Sequence, residues 1–211
     1  MIKAILFDFG GVYMDSPFAA IGNIALEKNI DPALLKQVVF GSYHLDSDHP
    51  WHRLERGEIS LEQAREGIIE EGRKHQLDTD IYQLLARFAD VERGLRKPLL
   101  DKTLEWQQRG LQLALVTNNI REFTGWRKLF PFAVDEVYHT ISDSSELGIR
   151  KPDPAIYQHT LQQLGIEPRQ ALFLDDYPSN VEAARALGIN GFVVEDDINP
   201  AIDWVEQQLA Q

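Results

Sequence analysis

The chain has 211 residues, 44% of them hydrophobic, enough to bury a sizeable core in one domain with a modest insertion. A formal charge of −12 excludes affinity for bulk polyanions such as nucleic acid, which rests on clustered Lys and Arg. There is no cysteine, so disulfides, thiolate nucleophiles and cysteine-bound zinc are excluded as well.

In chain order, "MIKAILFDFGG" opens as a short apolar strand that ends on Asp8 and is followed by Gly10 and Gly11. It becomes acidic too soon for a secretory signal, and no apolar run reaches membrane-spanning length, so the expected location is the cytoplasm with no membrane partner. Residues 16–92 carry helix patterns and no convincing strand: "SPFAAIGNIALEKN", "DPALLKQVVF", "SLEQAREGIIEEGRKH" and "DTDIYQLLARFA". Ser60 and Gln63 have the spacing of a capping box. Between these helices, 43–60 reads as a polar loop with His44, His49 and His52 among Asp46 and Asp48. It is a weak candidate for a second metal site, and Trp51 and His52 are candidates for substrate contact.

Four further apolar runs follow: "LQLALVT" (111–117), "EVYHTI" (136–141), "ALFLDD" (171–176) and "GFVVE" (191–195). They are continuous rather than alternating, as strands covered on both faces are. The helices between them start and stop cleanly, as where Asp153 and Pro154 open a helix that closes on Gly165. The pattern predicts a doubly wound α/β parallel-sheet core (1–15 and 93–211) with a small helical cap domain (16–92) inserted after the first strand.

In open parallel sheets, ligands bind at the carboxyl ends of the strands. The residues expected there are Asp8, Thr117, Asn118, Asn119, Asp175 and Asp176, with Lys151 delivered by "GIRKPDP". Three carboxylates, a hydroxyl and a lysine at one sheet edge describe a site for Mg²⁺ and phosphate.

With these strings in order, the chain resembles the haloacid dehalogenase-like hydrolases. "FDFGGV" is similar to the family's motif I, "LVTNN" to motif II, "RKPDPAIY" to motif III and "LFLDDYPSN" to motif IV. Sugar-1-phosphate phosphatases and the phosphatase domain of soluble epoxide hydrolase are the branches it looks most like. The resemblance implies a phosphatase in which Asp8 forms an aspartyl-phosphate. Mg²⁺ would be held by Asp8, the Gly10 carbonyl, Asp175 and Asp176. Thr117, Asn118 and Gly11 would cradle the phosphoryl group, and Lys151 would neutralise its charge.

The family's usual general acid, two residues after the nucleophile, is here Gly10. Its loss costs roughly 10²–10⁴-fold in rate. The departure points to a substrate with a good leaving group, a sugar phosphate and an anomeric one above all. Asp15 reads as a turn residue rather than a replacement acid. A 2-haloacid dehalogenase is the alternative chemistry, against which the paired acids at 175 and 176 argue. A weakly catalytic phosphate-binding regulator is another. The partner implied is a small phosphorylated metabolite, and the chain is expected to be a monomer or homodimer.

Overall fold

The computed structural model describes residues 1–89 and 94–211. The expected boundary between residues 92 and 93 therefore lies outside the described residues. Five strands form one parallel sheet: β1 (Ala4–Phe7), β2 (Gln112–Thr117), β3 (Thr140–Asp143), β4 (Ala171–Asp175) and β5 (Asn190–Val193). Their order is β3-β2-β1-β4-β5, which puts β1 at the centre and the switch in strand order beside it. Every residue of β1 and β4 is buried, as strands covered on both faces require.

Alternate residues of each strand feed two apolar layers. Ile5, Phe7, Leu115 and Leu174 face the layer containing Trp106 and Val205. Ala4, Leu6, Val116 and Phe173 face the layer with Ile156, Tyr157 and Ala184.

Between β1 and β2 the described residues form six helices, of which the first five are α1 (Pro17–Lys28), α2 (Pro32–Phe40), α3 (Pro50–Glu55), α4 (Leu61–Lys74) and α5 (Ile81–Ala89). These five surround a core of their own, including Ile21, Val39, Phe40, Trp51, Leu54 and Ile68. The capping box of α4 forms as the sequence predicts: Gln63 N donates to Ser60 Oγ, and Ser60 N donates to the Gln63 side chain. The remaining helices are α6 (Lys97–Gln108), α7 (Val134–Val137), α8 (Ser144–Leu147), α9 (Pro154–Leu164), α10 (Pro178–Ala186) and α11 (Asn199–Leu209). None of the helices among the described residues is long and apolar enough to cross a membrane.

Two expectations are corrected. The third strand is not 136–141 but Thr140–Asp143, because Val134–Val137 turn into the short α7. Tyr138 is thereby placed inside the core, where its hydroxyl donates to Tyr13 at 2.7 Å. The stretch 43–60 is not wholly a polar loop either. It contains α3, opened by Pro50 at its first turn and capped by the His49 ring, which accepts from Trp51 N.

Candidate active site

Parallel register makes the site. Phe7 pairs with Leu115 on one side and Leu174 on the other, so one more step along each chain brings Asp8 beside Asp175. Asp8 N donates to Leu174 O at 2.8 Å, closing the edge. Suitable carboxylate oxygens of Asp8, Asp175 and Asp176 all lie within 4.8 Å of one another.

Lys151 is fully buried beneath them, with Nζ 2.8 Å from Asp8 Oδ1 and 2.7 Å from Asp175 Oδ2. Burial alone would push this ammonium down, but Asp175 and Asp8 raise it above the ordinary lysine value, so it stays charged. Burial, assisted by Asp175 and Asp176, pushes the Asp8 carboxyl up to about 8 against the pull of Lys151. Burial and Asp175 likewise push Asp176 up to about 6. Hard oxygen donors gathered in a buried place, with Asp8 and Asp176 reluctant to ionise there, fit a hard divalent cation such as Mg²⁺.

Each acid is separately held in place. Asp175 Oδ1 accepts from Tyr177 N and from Asn180 Nδ2. Asp176 Oδ2 accepts from Ser16 Oγ at 2.5 Å. Gly11 has φ +75, and a Cβ there would stand 2.2 Å from the Asp176 carboxyl carbon, so only glycine lets that acid approach.

The Asn118 side chain makes three bonds. Its amide nitrogen reaches Lys151 O and the Tyr43 hydroxyl, and its oxygen accepts from Lys151 N at 2.8 Å.

Above the strand ends lies a cavity of about 290 Å³ whose floor includes Asp8, Gly10, Thr117, Asn118 and Asp176. Of the expected site residues, Trp51 reaches its wall as well. Asp175, Lys151 and Gly11 lie behind the floor rather than on it. His52 does not line the cavity: it is fully buried, its Nδ1 is 2.9 Å from Ser47 Oγ, and burial lowers it to about 3. The histidines of 43–60 do not converge on an ion site. Among the described residues the acids at 8, 175 and 176 form the group able to hold one.

The sequence reading missed Glu55, Arg150, Tyr43 and Asp143. Glu55 Oε1 accepts from Tyr43 and Trp51, and Oε2 accepts from Arg150 Nε at 2.7 Å, with both charged groups buried. Asp143, at the end of β3, accepts from Asn119 Nδ2 and from the amide and hydroxyl of Ser145. A strand-end acid is a visible signal, but the misplaced third strand hid it.

The family model of the haloacid dehalogenase-like hydrolases matches residues 2–188. The chain belongs to that family. It is 29% identical over 197 residues to a phosphoglycolate phosphatase of Pseudomonas putida, covering 89% of this chain and 67% of that protein. It is 30% identical over 198 residues to acyl-CoA dehydrogenase family member 10 of Mus musculus, covering 92% of this chain but 18% of that protein. The chain thus spans a minor part of some curated relatives it matches. Among solved structures, a family enzyme of Bacteroides thetaiotaomicron in complex with magnesium and inorganic phosphate superposes with a TM-score of 0.64. The two share 22% identity over 93% of this chain and 97% of that one, a likeness of fold. This chain is a hydrolase of the family, with a strand-tip acid cluster on its doubly wound core.

Proposed function

We propose that this hydrolase is a Mg²⁺-dependent phosphomonoesterase that works through an aspartyl-phosphate on Asp8. The observation that carries the reading is the convergence of Asp8 and Asp176 on the cavity floor with Asp175 just behind it, Lys151 bonding Asp8 and Asp175 from beneath. Lys151 Nζ and Phe9 N both contact Asp8 Oδ1, so Oδ2 is the oxygen available to attack phosphorus. Splitting one displacement into two through a carboxylate lowers each barrier. Mg²⁺, held by Asp8, Asp175, Asp176 and the Gly10 carbonyl, supplies charge stabilisation to the phosphoryl oxygens when bound. Lys151 adds a fixed positive charge at no cost in reorganisation. Thr117 and the backbone of Asn118, both on the cavity floor, would take the phosphoryl oxygens. Helices α1–α5 act as the cap over the site, with Trp51 in its inner wall. The ligand is a small phosphomonoester with a good leaving group, since Gly10 cannot donate a proton. A sugar phosphate, in particular an anomeric one, is one member of that class.

The test is phosphate release from a panel of phosphorylated metabolites and acetyl phosphate, with Mg²⁺ and with EDTA. Activity should require the cation, and Asp8→Asn should lower it by at least about 10³-fold. Chloride release from 2-chloropropionate in EDTA would overturn the reading.

A further inference from the structure

The cavity walls carry a second message, which rests on the phosphatase reading just given. Above the polar floor the lining is aromatic and aliphatic: Phe9, Phe18, Phe40, Trp51, Leu85 and Ile120, with Phe123 among the residues that close it. Four of the rings in this part of the molecule form a connected cage. Phe40 meets Trp51 edge to face at 4.8 Å, and Phe18 meets Phe40 and Tyr43 at 4.9 Å. Phe123 is 39% exposed, a large apolar ring left against solvent at this cavity.

Several polar groups of the walls are engaged within the protein, while Asn180 Oδ1 is buried in the lining without a hydrogen-bond partner. The Tyr43 hydroxyl and the Trp51 indole N–H both donate to Glu55, whose other oxygen is taken by Arg150. Asn119 Nδ2 donates to Asp143, and Glu122 accepts from Leu61 N. Tyr43 and Trp51 therefore have their hydrogen-bonding heads occupied within the protein, and what they add to the cavity is ring surface. Among the described residues that line it there is no lysine or arginine. Lys36 stands 4.4 Å over the Phe18 ring and 4.8 Å over that of Tyr177, and is not part of the lining. A second anionic group would enter without a cationic partner and beside Asp15 and Glu122, and the aromatic and aliphatic surface would give a polyhydroxylated group few partners for its many hydroxyls.

We infer that the substrate is an aryl phosphomonoester, with an uncharged aromatic alcohol as leaving group. Aromatic walls take a flat ring by offset or edge contacts. The missing acid at Gly10 points the same way. A phenol has a pKa of about 10, far below the roughly 16 of water, so its oxygen departs without a proton donor. In the first step the Asp8 carboxylate bonds to phosphorus, and the bond from phosphorus to the phenolic oxygen breaks with its electron pair on that oxygen. Water then adds to the aspartyl-phosphate, inorganic phosphate leaves, the carboxylate returns, and the phenolate takes up a proton from water.

The experiment compares kcat/KM at saturating Mg²⁺ for 1-naphthyl phosphate, glucose 1-phosphate, glycerol phosphate and acetyl phosphate. Acetyl phosphate has a good leaving group but almost no body to fill the cavity. The naphthyl ester should exceed both glucose 1-phosphate and glycerol phosphate by at least about 100-fold, the low end of what a general acid contributes. Phe123→Asp, at an exposed position where folding is safe, should lower the ratio of naphthyl to acetyl phosphate hydrolysis by about 10-fold. Glucose 1-phosphate equalling or beating the naphthyl ester would overturn the inference while leaving the phosphatase reading in place. So would a ratio unmoved by Phe123→Asp. Failure of all four compounds, acetyl phosphate included, would overturn the phosphatase reading and the inference with it.

Discussion

Glu55→Gln tests the buried ion pair that joins α3 to the loop carrying Lys151. In the native protein Glu55 and Arg150 are 2% and 0% exposed and 2.7 Å apart. Glu55 satisfies three donors with two oxygens: Arg150 Nε on one, Tyr43 and Trp51 on the other. Glutamine keeps the shape but has one acceptor oxygen, so its amide N–H₂ must face a donor whichever way it is turned. Removing one charge from a buried pair costs about 3–5 kcal/mol. Arg150 retains Leu45 O at 2.9 Å, the Tyr43 ring at 4.6 Å and a carboxylate at 3.7 Å in Asp46. The low end, about 3 kcal/mol, is therefore expected. At roughly 2–4 °C per kcal/mol for a chain of this size, the melting temperature should fall by roughly 6–12 °C. Urea unfolding of Glu55→Gln, Arg150→Met and the double variant gives the coupling, and the double variant should lose less than the two singles together. A loss below about 1 kcal/mol for Glu55→Gln, or strict additivity, would refute the reasoning.

Two further expectations follow from geometry. Gly11→Ala should leave the chain folded at a cost of roughly 1–2 kcal/mol for left-handed backbone. It should cut Mg²⁺-dependent activity sharply, because the new methyl occupies the place of the Asp176 carboxyl. Magnesium titration of activity would show a raised half-saturation, and an unchanged titration would contradict it. Glu206 is held down to about 2: burial alone would raise it, but bonds from Arg109, Lys102 and Trp106 outweigh that. Its folded value lies below its unfolded one, so its contribution is present above about pH 4.5 and fades as pH falls toward 2. Glu206→Gln should cost at most about 1 kcal/mol at pH 7, given its partial exposure. That difference should vanish in unfolding curves near pH 2, and a difference that persists there would count against the assignment.

The strand tips were legible because a strand covered on both faces must be continuously apolar, and the polar residue that ends such a run stands out. Asp8, Thr117 and Asp175 announce themselves in this way. The third strand was not legible: "EVYHTI" has the composition of a strand, yet the chain first makes the four-residue α7, which lets Tyr138 bond Tyr13 across 125 residues. Helix α3 was missed because it is six residues long and uses a histidine ring where a serine or aspartate is the usual cap. The Glu55–Arg150 pair joins residues 95 positions apart, and no local spacing encodes it. His52 was a candidate for substrate contact because the cap is expected to close over the site, but its buried place in α3 makes it part of the packing.

The crowding of acids around a single lysine has a thermodynamic corollary. Lys151 answers Asp8 and Asp175, and Asp176 adds a further carboxylate that this ammonium does not bond. A cluster built so has more negative charge than its lysine can answer, and a divalent counter-ion would balance it. Whatever binds the native state and not the unfolded chain deepens the native well, by roughly 2.7 kcal/mol at a hundredfold excess over Kd. The heat resistance of this protein should therefore climb with the logarithm of magnesium concentration, making its unfolding temperature a gauge of how full the cluster is.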